Sequence, residues 1–336
     1  MRIHSRGPMR PMHRALRALA GGFAVLAASC AAAETATFDE FLAGVRAEAL
    51  QKGIQPATLD VALKGLVPIP RVIELDRRQP ESTITFEEYM ARVVTPEMVA
   101  KGRANCQENR EVLARVEASY GVPAAFVCAL WGIESRYGEN MGSYSVIGSL
   151  ATLAYDARRA KFFRSELFEA LAILDEGHIR PDLMLGSWAG AMGQSQFMPS
   201  SFRAYAVDFD QDGRRDIWTT RADVFASAAN YLKKAGWRTG QPWGQAVFLP
   251  QGFDGSLIGN KQIRTVAEWR RLGVEPLPGF QLPADDVEAA VVRPGGEGGQ
   301  AYLVLRNYQV ILKWNRSDYF GLAVVTLADR IAQGMP

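Results

Sequence analysis

Histidine and cysteine are scarce in this 336-residue sequence, which holds three of each. Two histidines lie within the first 13 residues, so His178 is the only one in the rest of the chain. A histidine-rich zinc site or a Ser-His-Asp triad is therefore hard to build. The sequence also lacks a Cys-x-x-Cys pair, a Walker loop and a dinucleotide-binding glycine fingerprint. The side chains left for chemistry are carboxylates, amides and hydroxyls.

Acidic residues are absent before Glu34, whereas five arginines lie in the first 17 positions. An apolar run at 18–28 follows them, and small residues fill 31–33. This is the pattern of a secretory signal peptide, and the run is too short for a stable membrane span. Removing residues 1–33 changes the formal net charge from +2 to −3, which argues against a nucleic-acid partner. We therefore expect an exported protein whose mature chain is 34–336.

Cys30 leaves two ways of processing open. Residues 27–30 resemble a bacterial lipoprotein signal, in which acyl chains on the cysteine attach the protein to the outer membrane. The other cleavage point follows Ala33, after an Ala-x-Ala pattern, and releases a soluble periplasmic protein. Leucine is usual where Ala27 stands, so we predict the soluble form.

Cys106 and Cys128 remain in either mature form. An exported compartment permits a disulfide between them. Both also fall in helical patterns, where a buried free thiol is common. The sequence leaves both possibilities open.

Apolar spacing predicts a chain made mainly of helices. Before residue 121 we expect helical segments at 38–66, 86–94 and 96–120, with a connecting strand or loop at 71–80. After residue 148 we expect a short helix around Leu150 and Leu153, a longer one ending at Gly177, and another carrying Tyr231.

The C-terminal third has a different pattern. Residues 238–300 hold many glycines and prolines with short β-like runs, which predicts an irregular lobe with small strands. Residues 301–314 alternate apolar and polar side chains, which predicts a β-hairpin. A last amphipathic helix is expected to end near Gly334.

Residues 122–138 contain the strongest candidate for catalysis. Pro123 suits the first turn of a helix, and apolar residues follow at helical spacing. Glu134 falls in the last turn beside Trp131. Apolar surroundings disfavour a charged carboxylate and raise its pKa, which suits a general acid at neutral pH. The alternative is a glutamate that pairs with Arg136 on a solvated face.

Residues 186–202 combine small side chains with uncharged hydrogen-bonding groups. Glycine and alanine let the backbone approach another surface closely. Ser187, Gln194 and Gln196 could recognise the hydroxyls and acetamides of a sugar. The segment therefore predicts a glycan-binding groove, with a tightly packed helix–helix crossing as the alternative.

Residues 208–223 contain an acidic loop. Asp208, Asp210 and Asp212 fall at positions 1, 3 and 5 of this loop, and Gly213 falls at position 6. This is the pattern at the start of an EF-hand calcium loop. The Arg214 carbonyl would serve position 7, whereas Thr219 stands where a bidentate glutamate is usual. Asp223, at the start of the next helix, could close the site. We expect a structural Ca²⁺, and the alternative is a solvated acidic turn.

Several long motifs in fixed order resemble the membrane-bound lytic transglycosylase B family, glycoside hydrolase family 103. They are Trp131-Gly-Ile-Glu-Ser-Arg-Tyr-Gly138, Ala189-Gly-Ala-Met-Gly-Gln-Ser-Gln-Phe-Met-Pro-Ser-Ser201, Ala206-Val-Asp-Phe-Asp-Gln-Asp-Gly213, and Ala228-Ala-Asn-Tyr-Leu232 with Gly236-Trp237. The resemblance extends over about residues 38–332. It implies a mainly α (α+β) fold: a lysozyme-like transglycosylase core, an N-terminal helical part and a small β-containing lobe, with an EF-hand-like loop. The corresponding parts would be 121–237 for the core with the calcium loop, 34–120 for the helical part, and 238–336 for the lobe with the C-terminal helix.

The resemblance also implies a substrate and a set of roles. The family cleaves peptidoglycan at the β-1,4 bond between N-acetylmuramic acid and N-acetylglucosamine, and forms 1,6-anhydromuramic acid. Glu134 would be the single catalytic acid/base. The groove would be lined by Tyr89, Ser187, Gln196, Tyr231 and Asn315. Trp314 and Phe320 stand where the family pattern has tyrosines, so we expect a stacking surface there without the hydroxyls.

Two other functions remain open from the sequence. A lysozyme-type muramidase would use the same Glu134 with water, and Glu139 is a weak candidate for a second carboxylate. A non-catalytic, calcium-dependent glycan-binding protein would keep the groove and the acidic loop without needing an acid. The expected partner in each case is a peptidoglycan strand, and a monomer is expected.

Overall fold

The computed structural model describes residues 36–78 and 84–334, which are mostly helical. The predicted signal peptide, with Cys30, lies outside these residues. The helices before residue 121 are α1 (Phe38–Gln51), α2 (Pro56–Ala62), α3 (Pro70–Arg77), α4 (Phe86–Val93), α5 (Pro96–Glu108) and α6 (Arg110–Tyr120). Thr37 and Thr85 each form a capping box at a helix start. Proline occupies the first turn of α2, α3 and α5, where its missing N–H removes no helical hydrogen bond.

Two predictions in this N-terminal part are wrong. The loop or strand expected at 71–80 is largely helix α3, because Pro70 begins the helix and Val72 and Asp76 are buried on one face. The single helix expected at 96–120 is divided at Asn109, where the backbone leaves helical geometry (φ −103°, ψ 17°). The Asn109 side chain donates to the carbonyl of Asn105, which satisfies a group at the end of α5.

The central helices include α7, which carries Glu134 and packs against α5 and α6. They are α7 (Ala124–Ser135), α8 (Val146–Tyr155), α9 (Ala160–Asp175), α10 (Pro199–Tyr205) and α11 (Arg221–Lys234), with the short antiparallel strands β1 (Tyr144–Ser145) and β2 (Leu185–Gly186). Helix α7 is buried around nearly its whole circumference, well beyond the single apolar stripe predicted. The acidic loop lies between α10 and α11. Among the described residues no single helix could cross a membrane by its length and apolar character, although the bent pair α6 and α7 together meets that test.

Cys106 and Cys128 form a disulfide, which resolves the choice left open by the sequence. Cys106 lies in α5 and Cys128 in α7, and both side chains are fully buried. The bond therefore ties the helix that carries Glu134 to the N-terminal helices.

The small strands predicted after residue 238 are confirmed. The elements of this lobe are β3 (Gly244–Phe248), β4 (Arg264–Thr265), α12 (Val266–Arg271), β5 (Glu275–Pro276), β6 (Glu288–Val292) and β7 (Ala301–Val304). The strands form an antiparallel sheet in the order β4-β6-β7-β3-β5. Trp269 packs with Val291 and Leu303 in a second, smaller core. The domain boundary proposed at 238 remains a prediction.

The hairpin predicted at 301–314 is wrong in its second half. Strand β7 ends at Val304 and is followed by α13 (Arg306–Trp314), and the last helix is α14 (Asp318–Ala332). Buried Asn307 fixes this change, because its amide exchanges hydrogen bonds with the backbone of Arg238 and also donates to the carbonyl of Gln241. The alternation that suggested a strand is therefore outweighed by a contact between residues about 70 positions apart.

Candidate active site

Glu134 occupies the last turn of α7, as predicted. The two residues at 136 and 137 that follow the helix both adopt left-handed backbone conformations, with φ of 51° and 62°. Tyr137 is held there because its hydroxyl donates to the carbonyl of Met98 at 2.9 Å. Its ring packs against Gly132, where a Cβ atom would lie 2.6 Å from a ring carbon. The end of the helix is thus fixed tightly beside the carboxyl.

Trp314, at the end of α13, supplies a hydrogen bond to Glu134. Its Nε1–H donates to Oε1 of Glu134 at 2.7 Å. The indole packs against Phe197 and Tyr231, with ring centroids 5.1 and 4.7 Å away. The sequence indicated a stacking residue here and missed the donor. The signal was the indole N–H, a donor at a position where the family pattern has a hydroxyl.

The wall behind the Glu134 carboxyl is apolar. A small cavity of about 10 Å³ beside it is lined by Glu134, Trp314, Val127, Leu130, Trp131, Ser195, Val224, Phe225 and Ala228. Burial raises the pKa of Glu134 to about 7, and the hydrogen bond from Trp314 opposes that shift. The shift has the direction predicted from the sequence and leaves both protonation states accessible near neutral pH.

The other candidate carboxylate, Glu139, does not share this environment. Its side chain is exposed and forms an ion pair with Lys101. The alternative in which Glu134 pairs with Arg136 also fails, because Arg136 is exposed and Glu134 lies against the apolar wall. The site therefore offers one carboxyl with a raised pKa.

Tyr89 lies in α4 and interacts electrostatically with Glu134. Burial raises the pKa of the Tyr89 phenol, and the negative charge of Glu134 raises it further. The ring lies against Tyr319, with centroids 5.5 Å apart. Tyr89 is therefore a neutral hydroxyl within electrostatic reach of the carboxyl.

Residues 187–198 form tight turns and isolated β-bridges, which rules out the helix–helix crossing considered for this segment. Ser187 Oγ accepts from the backbone N–H groups of Ala189 and Ala191. The part-buried Gln196 adopts a left-handed conformation (φ 46°), and its amide donates to the carbonyls of Met141 and Gly193. Both side chains hold the shape of the loop.

Gln194 is buried, and both ends of its amide are bonded within the fold. Its Oε1 accepts from the Trp131 indole at 2.8 Å, and its Nε2 donates to the Trp218 carbonyl at 2.7 Å. The sugar-binding role suggested for Gln194 is therefore replaced by a structural one, which joins the turn segment to α7.

Tyr231 and Asn315 lie near the end of α13. The Tyr231 hydroxyl donates to the Lys313 carbonyl at 2.6 Å, and its ring contacts Trp314. Asn315 is exposed, and its Oδ1 accepts from the N–H of Ser317. Phe320 is only 5% exposed and packs in the core, so the stacking surface expected there is absent.

The structure brings the three carboxylates of the acidic loop together. One ligand oxygen from each of Asp208, Asp210 and Asp212 lies within 4.8 Å of the others. Gly213 has φ of 91°, the conformation for which the motif requires glycine. Arg214 forms an ion pair with Asp212 at 3.0 Å, which compensates one of these charges. The remaining like-charge repulsion and the oxygen-only donor set fit a Ca²⁺ ion.

Asp223 supports this loop from the start of α11. It is fully buried, with Oδ1 accepting from the N–H of Phe209 and Oδ2 from the N–H of Asp216. Burial raises the pKa of Asp223 to about 6, and the charges of Asp208 and Asp210 act in the same direction. Its carboxylate is not part of the three-oxygen cluster.

His178, which the sequence analysis left without a role, lies close to this loop. Its Nδ1 accepts from the backbone N–H of Arg215 at 3.2 Å, and its ring lies beside Phe202. These contacts help to hold the segment after the acidic residues in place.

Comparison with known proteins defines the class first. The chain belongs to the Transglycosylase SLT domain family, whose model matches residues 37–329. This confirms the family predicted from the motifs, and the mainly helical fold with a small sheet agrees with its solved structures.

The chain is 34% identical over 252 residues to the membrane-bound lytic murein transglycosylase B of Escherichia coli K12, an alignment that covers 73% of this chain and 66% of that protein. It is similar to SltB3 of Pseudomonas aeruginosa, solved with NAG-NAM-pentapeptide and with NAG-anhNAM-pentapeptide (TM-score 0.86, 45% identity, 89% of this chain and 80% of that one). It is also similar to Slt35 of Escherichia coli in complex with calcium (TM-score 0.77, 29% identity, 87% and 93%).

Proposed function

We propose that this protein is a lytic murein transglycosylase. It cleaves the β-1,4 bond between N-acetylmuramic acid and N-acetylglucosamine and leaves a 1,6-anhydromuramic acid end. The observation that carries this proposal is a single carboxyl, Glu134, with a pKa of about 7 beside an apolar wall. The family membership and the SltB3 complex with an anhNAM-containing fragment support it.

In the first step neutral Glu134 protonates the glycosidic oxygen, and the bond from that oxygen to C1 of muramic acid breaks. The departing N-acetylglucosamine keeps the proton as a hydroxyl hydrogen, and positive charge develops at C1. Glu134 is left as a carboxylate, which the Trp314 N–H stabilises.

In the second step Glu134 acts as a base. It takes the proton of the C6 hydroxyl of muramic acid while O6 forms a bond to C1. The anhydro ring closes, no water is consumed, and Glu134 returns to its neutral form. A pKa near the working pH serves both steps, because giving and retaking a proton are then of comparable difficulty.

Groove residues around this carboxyl would orient the glycan. Tyr89 brings a neutral hydroxyl close to Glu134, and the exposed amide of Asn315 lies just beyond Trp314. Ser187 and Gln196 stabilise the turn segment and present polar atoms on it. Tyr231 supports Trp314 from behind.

The acidic loop would hold a structural Ca²⁺ through Asp208, Asp210, Asp212 and the Arg214 carbonyl. Asp223 would contribute by ordering the loop backbone through the two N–H groups that it accepts. The loop leads directly into α11, and Phe225 of that helix packs on Trp131 of α7. The ion would therefore stabilise a wall of the active site and take no part in the reaction.

We place the enzyme in the periplasm, either soluble or attached to the outer membrane through Cys30. The buried Cys106–Cys128 disulfide supports export, because disulfides persist in oxidising compartments. A peptidoglycan strand is the proposed partner, and a monomer is the proposed form.

Digestion of purified sacculi tests the reaction. Mass spectrometry of the released muropeptides should show anhydromuramic ends, each 18 Da lighter than a hydrolysed end by the mass of one water. Reducing muramic acid ends would instead show a lysozyme-type hydrolase. A complete lack of cleavage with retained glycan binding would identify a binding protein.

A further inference from the structure

The hydrogen bond that holds Glu134 comes from a group that can only donate. The Nε1–H of Trp314 points to Oε1 of Glu134 at 2.7 Å. An indole nitrogen has no lone pair with which to accept a proton in return. The bond is therefore strong while Oε1 carries no proton, because a carbonyl or carboxylate oxygen accepts a hydrogen bond much better than the hydroxyl oxygen of a carboxylic acid.

We propose that Trp314 is a positioning residue that reserves Oε1 of Glu134 as an acceptor and leaves Oε2 to carry the transferred proton. A proton on Oε1 would turn this oxygen into a weak acceptor for the indole N–H, so the neutral acid holds its proton on Oε2. Within the described residues, the carboxyl makes this hydrogen bond through Oε1 and none through Oε2. The inference rests on the proposed role of Glu134 as the acid/base.

The indole is fixed well enough to impose this choice. Phe197 and Tyr231 pack against it, with ring centroids at 5.1 and 4.7 Å. The Tyr231 hydroxyl also bonds the carbonyl of Lys313, so α11 holds the last turn of α13. Because Lys313 is the residue before Trp314, this bond restrains the backbone from which the indole projects.

Besides the Trp314 indole, few groups near the Glu134 carboxyl are charged and able to alter its pKa. The element α4 contributes Tyr89, a neutral phenol. The cavity-lining residues of α11 are apolar, and Ser195 contributes an uncharged hydroxyl. The ammonium of Lys313 donates to the Ala235 carbonyl, and that of Lys101 pairs with Glu139. The indole is therefore the group whose removal should change the titration of Glu134.

Two variants at position 314 test the proposal. Trp314→Phe removes the donor and keeps an aromatic ring, while replacement of the indole by benzothienylalanine removes only the N–H and preserves the volume. Without the donor the carboxylate form is less favoured, so the alkaline limb of kcat/KM should move up by roughly one pH unit. The carboxyl also loses the contact that fixes its orientation, so kcat on sacculi should fall roughly tenfold, with KM within about twofold.

Trp243→Phe is the matched control. Its Nε1 donates to a carboxylate oxygen of Asp329 at 3.0 Å, the same kind of bond in another part of the fold. Loss of this bond should lower the melting temperature and leave the pH profile unchanged. A ¹³C titration of the Glu134 carboxyl by NMR should show the same upward shift in the benzothienylalanine protein, independently of turnover.

The outcomes separate this proposal from the proposed function. If both variants at 314 keep the wild-type alkaline limb and the wild-type Glu134 titration, the positioning role is wrong. If Glu134→Gln retains near-full activity, the acid/base role itself is wrong. A shifted alkaline limb of kcat/KM in the variants at position 314, together with an inactive Glu134→Gln variant, supports both the positioning role of Trp314 and the acid/base role of Glu134.

Discussion

At the residue scale, the chemistry depends on how one carboxyl is surrounded. Glu134 faces apolar side chains of α7 and α11 on one side and the Trp314 donor on another. Burial favours the neutral acid and the donor favours the carboxylate. The balance between them gives a group that can exchange a proton near pH 7.

Replacing Glu134 with glutamine should lower turnover on sacculi by roughly two to four orders of magnitude, the usual contribution of general acid–base catalysis. Glutamine keeps the shape and can still accept from Trp314, so the circular dichroism spectrum should not change. Glu139→Gln is the matched control, since Glu139 is exposed and paired with Lys101, and should remain active. Near-full activity of Glu134→Gln would contradict the mechanism.

The pH dependence follows from the raised pKa of Glu134. The first step needs the protonated acid, so kcat/KM should fall about tenfold per pH unit above about pH 7. Stability should fall at lower pH than activity does, between about pH 4.5 and 7, because the folded state binds this proton more tightly than the unfolded chain does. The contribution is present below the unfolded pKa of 4.5 and is lost as pH rises through about 7. Urea titrations at pH 5 and 8 should show a smaller difference for Glu134→Gln than for the wild type.

At the element scale, α7 is held from several sides. The disulfide joins it to α5, Gln194 joins it to the turn segment, and α14 packs along it. Such restraints would keep Glu134 in place when a glycan binds. Asp223 joins the acidic loop to α11, the helix that lines another side of the cavity.

The double substitution Cys106→Ala and Cys128→Ala should lower the free energy of unfolding by about 3 kcal/mol, as expected for a cross-link between residues 22 positions apart. Both half-cystines are fully buried, so their replacement by alanine gains no compensating solvation. Urea denaturation of the two proteins measures the difference. Turnover at 25 °C should change much less than stability, and equal unfolding midpoints would contradict a structural role.

Chelation of calcium should lower the melting temperature, because an ion that binds only the folded protein stabilises it by mass action. The variant with Asp210→Asn and Asp212→Asn should lose this sensitivity to chelator. Asp286→Asn, at an exposed aspartate in the β-lobe, is the control and should keep it. If chelation abolished catalysis without any change in melting, the ion would belong to the reaction instead.

At the scale of the whole molecule, processing of the N-terminus determines whether the enzyme is soluble or anchored to a membrane. Five arginines, an apolar run and small residues precede the mature chain that we propose, and the buried disulfide supports export. The two proposed cleavage points differ by four residues and give either a soluble or a lipid-anchored enzyme. This choice decides which part of the cell wall the active site reaches.

Cys30→Ala should leave the protein in the soluble periplasmic fraction, because we predict cleavage after Ala33. N-terminal sequencing of the wild type should then begin at Glu34. A shift from the membrane to the soluble fraction on substitution would show that the lipoprotein form is the correct one.

The sequence by itself determined the features that depend on near neighbours in the chain. Helical spacing placed Glu134 in the last turn of α7, and the one-three-five pattern of aspartates placed three oxygens around one point. Both follow from local backbone geometry, in which residues a few positions apart have a fixed spatial relation.

Only the tertiary structure decided the contacts between distant parts of the chain. Trp314 meets Glu134 across 180 residues, and the pairing of Cys106 with Cys128 depends on how α5 packs against α7. Buried Asn307 likewise fixes a helix where local alternation suggested a strand. Packing and buried hydrogen bonds between residues far apart in sequence override such weak local preferences, because burying an unpaired polar group costs more than the preference contributes.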